Sequence, residues 1–276
     1  MNIGIIGLGL MGGSLGLSLK NFPQKYTIIG YDHNKQHQKD ALELQLIDIL
    51  ADDFETIKNC DVIILTIPVD AIIKTAQTLT DVKKECTIID FGSSKERIDE
   101  AIPKVIRQNF VTAHPMTGTE KFGPSAAIEK LYDEKVMVIC NQEKSGALQN
   151  QVAIELFNDI NAKVVFMGAK EHDRHAAFIS HMPHTVSYAL ANSVMQQEDP
   201  QSIISLAGGG FKDMSRIAKS SPNMWEDIFR QNKENLLESM KAFNKELQLC
   251  QSMIENDQWD DLHQWMNNAN KLHDIL

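Results

Sequence analysis

The sequence predicts an α/β fold in its first part and an all-helical C-terminal domain after it, and three observations carry that reading. Short apolar, β-branched runs alternate with longer amphipathic ones from Met1 to about Gly168; a glycine-rich turn follows the first run; and past Gly168 strand-like runs largely stop. Repeated alternation of this kind gives a mostly parallel sheet covered by helices on both faces. With 276 residues the chain has the length of two domains, each able to bury a core, and they are expected at 1–168 and 169–276.

The first apolar run, Ile3 to Ile6, leads into Gly7-Leu8-Gly9-Leu10-Met11-Gly12-Gly13-Ser14-Leu15-Gly16, which opens a helical pattern. Gly7, Gly9 and Gly12 have the G-x-G-x-x-G spacing that serves a tight turn, close approach of backbone to a pyrophosphate, and close helix-on-strand packing. The helix start, at Leu10 and Met11, faces such a phosphate with unpaired N–H groups and a partial positive charge. The second run, Thr27 to Tyr31, ends in Asp32, twenty residues past Gly12, where a carboxylate accepts hydrogen bonds from ribose hydroxyls and repels a 2′-phosphate. The N-terminal domain is therefore expected to be a Rossmann-type dinucleotide-binding domain with NAD, not NADP, as cofactor.

Further strands are expected at Val62–Thr66, Thr87–Asp90, Phe110–Thr112, Val136–Ile139 and Val164–Phe166, the last two breaking the regularity, with helices over Lys35–Leu46, Ala71–Thr78, Lys95–Arg107 and Gly146–Asn158. Ligands of an open α/β sheet sit beyond the carboxyl ends of its strands. The glycine turn, Asp32, Pro68, Gly92-Ser93-Ser94-Lys95 and His114-Pro115 should thus line one crevice. Past Gly168 the chain reads as helix, broken at Pro200, at Gly208-Gly209-Gly210 and at Pro222. Leu236, Met240, Phe243, Leu247, Cys250 and Ile254 recur at three and four, the stripe of a long helix, and Trp259, Leu262, Met266, Ala269 and Leu272 mark another. Such stripes form cores or subunit interfaces, and a homodimer through the helical domain is expected.

Composition narrows the function. A net charge of −10 argues against a nucleic-acid surface. Cys60, Cys86, Cys140 and Cys250 are scattered without a C-x-x-C pair, which fits a reduced, cytoplasmic protein. No apolar run reaches membrane-spanning length, and the apolar N-terminus lacks a basic leader and is broken by glycines, so no signal peptide is expected.

Among candidate chemical groups, His114 follows a buried-looking strand, where a neutral imidazole can take a proton from a substrate hydroxyl as hydride leaves for a nicotinamide. Ser93 has a hydroxyl that could orient it, although a Gly-Ser-Ser run also suits an ordinary helix N-cap. His172, Asp173, His175, Ser180, His181 and His184 cluster at the start of the helical part. Histidines three apart can share a helix face and bind metal, but Pro183 interrupts the pattern and hydride transfer to NAD needs no metal, so none is expected. Asp213 and Arg216 lie three apart after the three glycines; Arg216 can clamp a carboxylate, and the pair also fits a solvated ion pair.

Together these stretches resemble the prephenate dehydrogenase family, which includes the arogenate dehydrogenases of tyrosine biosynthesis. The ordered set comprises Gly7 to Gly16, Asp32, Asp90 to Lys95, His114 to Glu120, Ser180-His181-Met182-Pro183-His184 and Gly208 to Arg216. The resemblance implies His114 as catalytic base, Ser93 hydrogen-bonded to it, His184 and Ser180 on the substrate side, and Arg216 on a substrate carboxylate. Thr119, Glu120, Gly209 and Asp213 match further residues of the substrate pocket or its gate, and Met224-Trp225 resembles a segment that the partner subunit supplies. The implied reaction is oxidative decarboxylation of prephenate with NAD, with arogenate as the alternative substrate. Two departures are Ser94, where a valine is common, and the absence of a regulatory domain after the helical part, which speaks against allosteric control by a separate effector domain and leaves direct competition by tyrosine open. A 3-hydroxyacid-type dehydrogenase would use a lysine base in its helical domain, and a non-catalytic NAD-binding module would leave His114, Ser93 and Arg216 without work.

Overall fold

The structure is a computed structural model that describes residues 1–197 and 199–275. Its strands are β1 (Asn2–Ile6), β2 (Thr27–Tyr31), β3 (Ile49–Leu50), β4 (Val62–Leu65), β5 (Thr87–Asp90), β6 (Phe110–Pro115), β7 (Val136–Cys140) and β8 (Lys163–Met167), hydrogen-bonded in the order β3-β2-β1-β4-β5-β6-β7-β8. β1 to β6 run parallel, and the order reverses between β1 and β4, which opens a ligand crevice at the carboxyl ends of those strands. Alternate residues of β4 feed opposite cores, Val62 and Ile64 on one face and Ile63 and Leu65 on the other. Burial on both faces is why the strands read as continuous apolar runs.

The regularity breaks at β7, which pairs antiparallel with β6. Residues 116–135 hold no crossover helix, and a parallel return needs one. The first-part helices are α1 (Leu10–Leu19), α2 (Lys35–Glu43), α3 (Phe54–Lys58), α4 (Val69–Thr78), α5 (Glu96–Ala101) and α6 (Ala147–Asp159). The helix expected over Lys95–Arg107 stops at Ala101, because the backbone before Pro103 is held extended, and a short 3-10 segment, Lys104–Asn109, follows. β3 and α3 are too short to leave a periodic signal.

The remaining helices are α7 (Ala169–Ala176), α8 (Met182–Met195), α9 (Pro200–Ser205), α10 (Gly209–Arg216), α11 (Pro222–Gln231), α12 (Lys233–Glu255) and α13 (Trp259–Asn270). Pro183 does not break the chain between α7 and α8. A π-helical turn, Ala177–His181, joins them and absorbs the missing N–H, with the N–H of Met182 donating to the carbonyl of Ala177.

The chain forms two compact units, Met1–Asn232 and Lys233–Leu276. The helices from α7 to α11 therefore belong with the sheet, whereas composition alone divides the chain at 168. Polar bonds tie them there. Asp173 accepts the N–H groups of Lys95 (2.7 Å) and Glu96 (2.9 Å), Asn232 donates to the Asp173 carbonyl (2.6 Å), and Gln231 donates to Asp70 (2.6 Å). In the second unit Trp265 donates to Glu246 at 2.9 Å, and Leu247, Ile254, Trp259 and Met266 of the expected stripes are exposed. Among the described residues no helix is long and apolar enough to cross a membrane.

Candidate active site

The turn between β1 and α1 is built as its glycines require. Gly7 has φ +97°, a conformation that side chains disfavour, and its N–H donates to the Tyr31 carbonyl at 2.8 Å. A Cβ on Gly12 would stand 1.9 Å from the Gly7 carbonyl oxygen, so no other residue fits there. The hydroxyl of Thr66, at the end of β4, lies 2.6 Å from that same oxygen and holds the turn from the other side. Gly9, the N-cap of α1, is different: a Cβ there would meet only the Gly123 nitrogen, at 3.9 Å. The space before Gly9 is thus open for a phosphate, next to the unpaired N–H groups of the first helical turn.

Asp32, just past β2, is buried at 5% exposure and accepts the N–H groups of Leu8 and Asn34, each at 2.8 Å. A carboxylate offers about four acceptor positions, so it retains capacity for ribose hydroxyls while locking strand end to turn. The residues present fit a dinucleotide such as NAD.

A cavity of about 760 Å³ opens beyond these strand ends. Gly9, Leu10, Met11, Pro68, Ser93 and His114 line it from the sheet side, as the crevice rule requires, and Ser180, His184 and Arg216 line it from the helical side, with Thr119 and Glu120 from the loop after β6. Gly7, Gly12 and Asp32 stand behind the lining as scaffold. Gly209 and Asp213 do not line the cavity. Gly209 starts α10, no atom stands within 4 Å of a Cβ built there, and Asp213 is exposed.

His114 is the penultimate residue of β6, where its neighbours fix it. Its Nδ1 lies 2.8 Å from Nε2 of His172, and Nδ1 of His172 lies 2.8 Å from a carboxylate oxygen of Asp173. Among the described residues no protein group bonds the His114 Nε2, which leaves it for the cavity. Burial, the neighbouring His172 and the positive Lys95 hold the His114 pKa well below the usual histidine value, so the ring is neutral. Ser93 lines the same cavity but makes no hydrogen bond to His114, contrary to what the resemblance implies. The bond expected of the serine is taken by His172, which tertiary packing of α7 brings against the strand end.

Beneath His114 lies a buried ion pair, Lys95 with Asp90, both side chains fully inaccessible. The Lys95 ammonium also donates to the Ala113 carbonyl at 2.6 Å, and Asp90 accepts the N–H groups of Gly92 (3.0 Å) and Ala113 (3.3 Å). The pair therefore pins the Ser93 loop and the His114 strand to each other.

On the helical side, Nδ1 of His184 donates to the Ser180 carbonyl at 3.0 Å, and the ring stacks on Trp225 with centroids 3.5 Å apart. Burial lowers the His184 pKa. His181, 1% exposed, lies 3.2 Å from the Asn232 amide, and burial lowers its pKa to about 4; His175 faces solvent. Trp225 and Met224 line this cavity within their own chain. The Tyr188 hydroxyl bonds the Ser220 carbonyl at 3.0 Å, and this folds α11 back onto α8. Arg216 pairs with Glu120 at 3.3 Å and not with Asp213, its helical neighbour.

The crevice residues were legible as the positions after each strand. His172 and Asp173 were visible only as part of a histidine cluster. Their adjacency was the signal, since a carboxylate next to a histidine can fix its tautomer.

Known proteins agree with this geometry. Residues 15–166 match the family model described as "Prephenate dehydrogenase, nucleotide-binding domain", and residues 168–268 match "Prephenate dehydrogenase, dimerization domain". The prephenate dehydrogenase of Bacillus subtilis (strain 168) is 32% identical over 99% of this chain and 75% of its own length. The crystal structure of prephenate dehydrogenase from A. aeolicus in complex with hydroxyphenyl propionate and NAD+ superposes with a TM-score of 0.92 at 30% identity, covering 100% of this chain and 98% of that one. Synechocystis arogenate dehydrogenase superposes with a TM-score of 0.82 at 27% identity, covering 100% and 99%. With the two family models together covering the His114 strand and the helical wall, and a relative 32% identical over 99% of this chain, the chain belongs to the prephenate dehydrogenase family of NAD-dependent oxidoreductases.

Proposed function

We propose that the chain catalyses NAD-dependent oxidative decarboxylation of prephenate to 4-hydroxyphenylpyruvate, a step of tyrosine biosynthesis. The observation that carries this reading is His114, a neutral imidazole whose Nε2 is unbonded and whose ring lines the cavity beside the glycine turn. Nε2 accepts the proton of the ring 4-hydroxyl as that carbon is oxidised. NAD, when bound, accepts the hydride. The ketone so formed draws electrons from the ring carboxylate bond, carbon dioxide leaves, and aromatisation drives the step forward. Proton removal by a placed base supplies about 10²- to 10⁴-fold, and holding the reactants in register supplies more.

Arg216, 57% exposed at its side chain and, among the described residues, held only by Glu120, can exchange that partner for a substrate carboxylate. This solves the electrostatic problem of a chain of charge −10 that binds a dianion. Ser93 contributes a hydroxyl on the same wall, and Ser180, His184 and Thr119 complete the substrate side. In this reading residues 1–168 carry the cofactor and residues from 169 onward carry the substrate wall and the homodimer contact, in the cytoplasm. Two observations support the dimer: the name of the matching C-terminal family model and the exposed apolar stripe of α12 and α13. Light scattering should then give twice 31.0 kDa.

Arogenate is the second reading, favoured by the similarity to Synechocystis arogenate dehydrogenase. Reduced nicotinamide is followed at fixed NAD with prephenate and then with arogenate. Faster turnover of prephenate is the expected result; faster turnover of arogenate selects the second reading, and turnover of neither overturns both.

A further inference from the structure

We propose that His172 and Asp173 are positioning residues that fix the tautomer of His114, so that its cavity-facing Nε2 is an acceptor before any substrate arrives. The proposal rests on the reading of His114 as the base, and it adds a part the reaction does not by itself require.

The chain of inference starts at Asp173. One of its carboxylate oxygens accepts the N–H of Lys95 (2.7 Å) and faces Nδ1 of His172 (2.8 Å), and the other accepts the N–H of Glu96 (2.9 Å). Each oxygen accepts a backbone N–H, and a carboxylate offers a neighbouring ring nitrogen an acceptor only. Nδ1 of His172 must then carry hydrogen. His172 is 2% exposed, and burial lowers its pKa, so the ring is neutral and its Nε2 holds a lone pair. That lone pair lies 2.8 Å from Nδ1 of His114, which must therefore be the donor of the pair. A neutral His114 with hydrogen on Nδ1 has a bare Nε2. Without these partners an imidazole populates both tautomers, and the form with hydrogen on Nε2 cannot accept a hydroxyl proton.

The same relay acts when the proton moves. The substrate O–H bond breaks, an N–H bond forms at Nε2 of His114, and the imidazolium donates its Nδ1 hydrogen to a neutral ring that is itself bonded to a carboxylate. The positive charge develops against Asp173 through one intervening ring, while Lys95 and His181 face His114 and oppose it. Asp90, Lys95 and Asp173 are the charged groups that face His172. Asp173 also bonds the backbone at the start of α5, so it sets the Ser93 loop and the base with one side chain.

The test is long-range nitrogen–proton NMR of the full chain with labelled histidine and no substrate, on the wild type, His172→Leu and His172→Gln. The expected wild-type spectrum has His114 with hydrogen on Nδ1 and a bare Nε2. His172→Leu should shift His114 toward the other tautomer and lower kcat on the order of 10²-fold. His172→Gln, which keeps an acceptor at that place, should restore both while the Kd for NAD stays the same in all three. A wild-type His114 with hydrogen on Nε2, or a His172→Leu protein with an unchanged His114 spectrum, would overturn the proposal. If His172→Leu does not fold, the wild-type spectrum decides. The spectra need no substrate, so failure of the substrate reading and failure of this one are told apart.

Discussion

At the scale of single residues, what matters is which atom is left without a partner. His114 has one ring nitrogen committed inside the protein and one turned to the cavity, and that asymmetry is what the proposed base requires. His114→Asn should lower kcat by about 10²- to 10⁴-fold while the Kd for NAD, measured by fluorescence titration, changes little. An unchanged kcat would remove His114 from the reaction. Asp32 shows the opposite arrangement, since its bonds from the Leu8 and Asn34 N–H groups hold a buried carboxylate where the proposed ribose contact requires it. Asp32→Ala should narrow the preference for NAD over NADP, read as the ratio of the two kcat/KM values, and a wild type that prefers NADP would contradict that role. Both positions were readable in the sequence as residues at a strand end, although His114 lines the cavity and Asp32 stands behind its lining. The partner of His114 was not readable, since it lies 58 positions away and reaches the strand only when α7 packs.

At the scale of elements, Lys95 and Asp90 add a buried ion pair to the backbone pairing of β5 with β6. A buried pair of this sort is costly to break because one charge then remains without compensation. Lys95→Met should lower the free energy of unfolding in urea by about 3–5 kcal/mol, and Lys95→Met combined with Asp90→Leu should recover much of it. Equal losses in the single and the double variant would show that the pair does not act as one. Two element boundaries illustrate what local sequence conveys. Pro103 ends α5, a rule of backbone sterics that names its own position, whereas Pro183 falls in the first turn of α8, where a missing N–H is tolerated and a π-helical turn carries the chain on from α7.

For the whole molecule, burial draws three histidines, His114, His172 and His181, toward their neutral states. The sign follows from linkage. A histidine whose folded pKa is lowered binds fewer protons than in the unfolded chain, so its contribution is fully present above pH 6.5 and is lost as pH falls toward the folded value. For His181, with a folded pKa of about 4, the window runs from about pH 6.5 to about 4 and the loss is on the order of 3 kcal/mol. His114 and His172 shift in the same direction. The thermal midpoint should therefore fall across that window, and His181→Asn should flatten the fall; an equal slope in both proteins would refute the assignment. The sequence by itself determined the α/β character, the glycine turn, the acid at 32 and the order of crevice residues, because each is a matter of local periodicity or of position after a strand. Only the tertiary structure decided that His172 and not Ser93 bonds His114, that Trp225 stacks on His184 of its own chain, and that Arg216 pairs with Glu120 while Gly209 and Asp213 stand away from the cavity. Those are contacts between side chains far apart in sequence, and their partners are selected by which helices pack against the strand ends, a choice that no local pattern records.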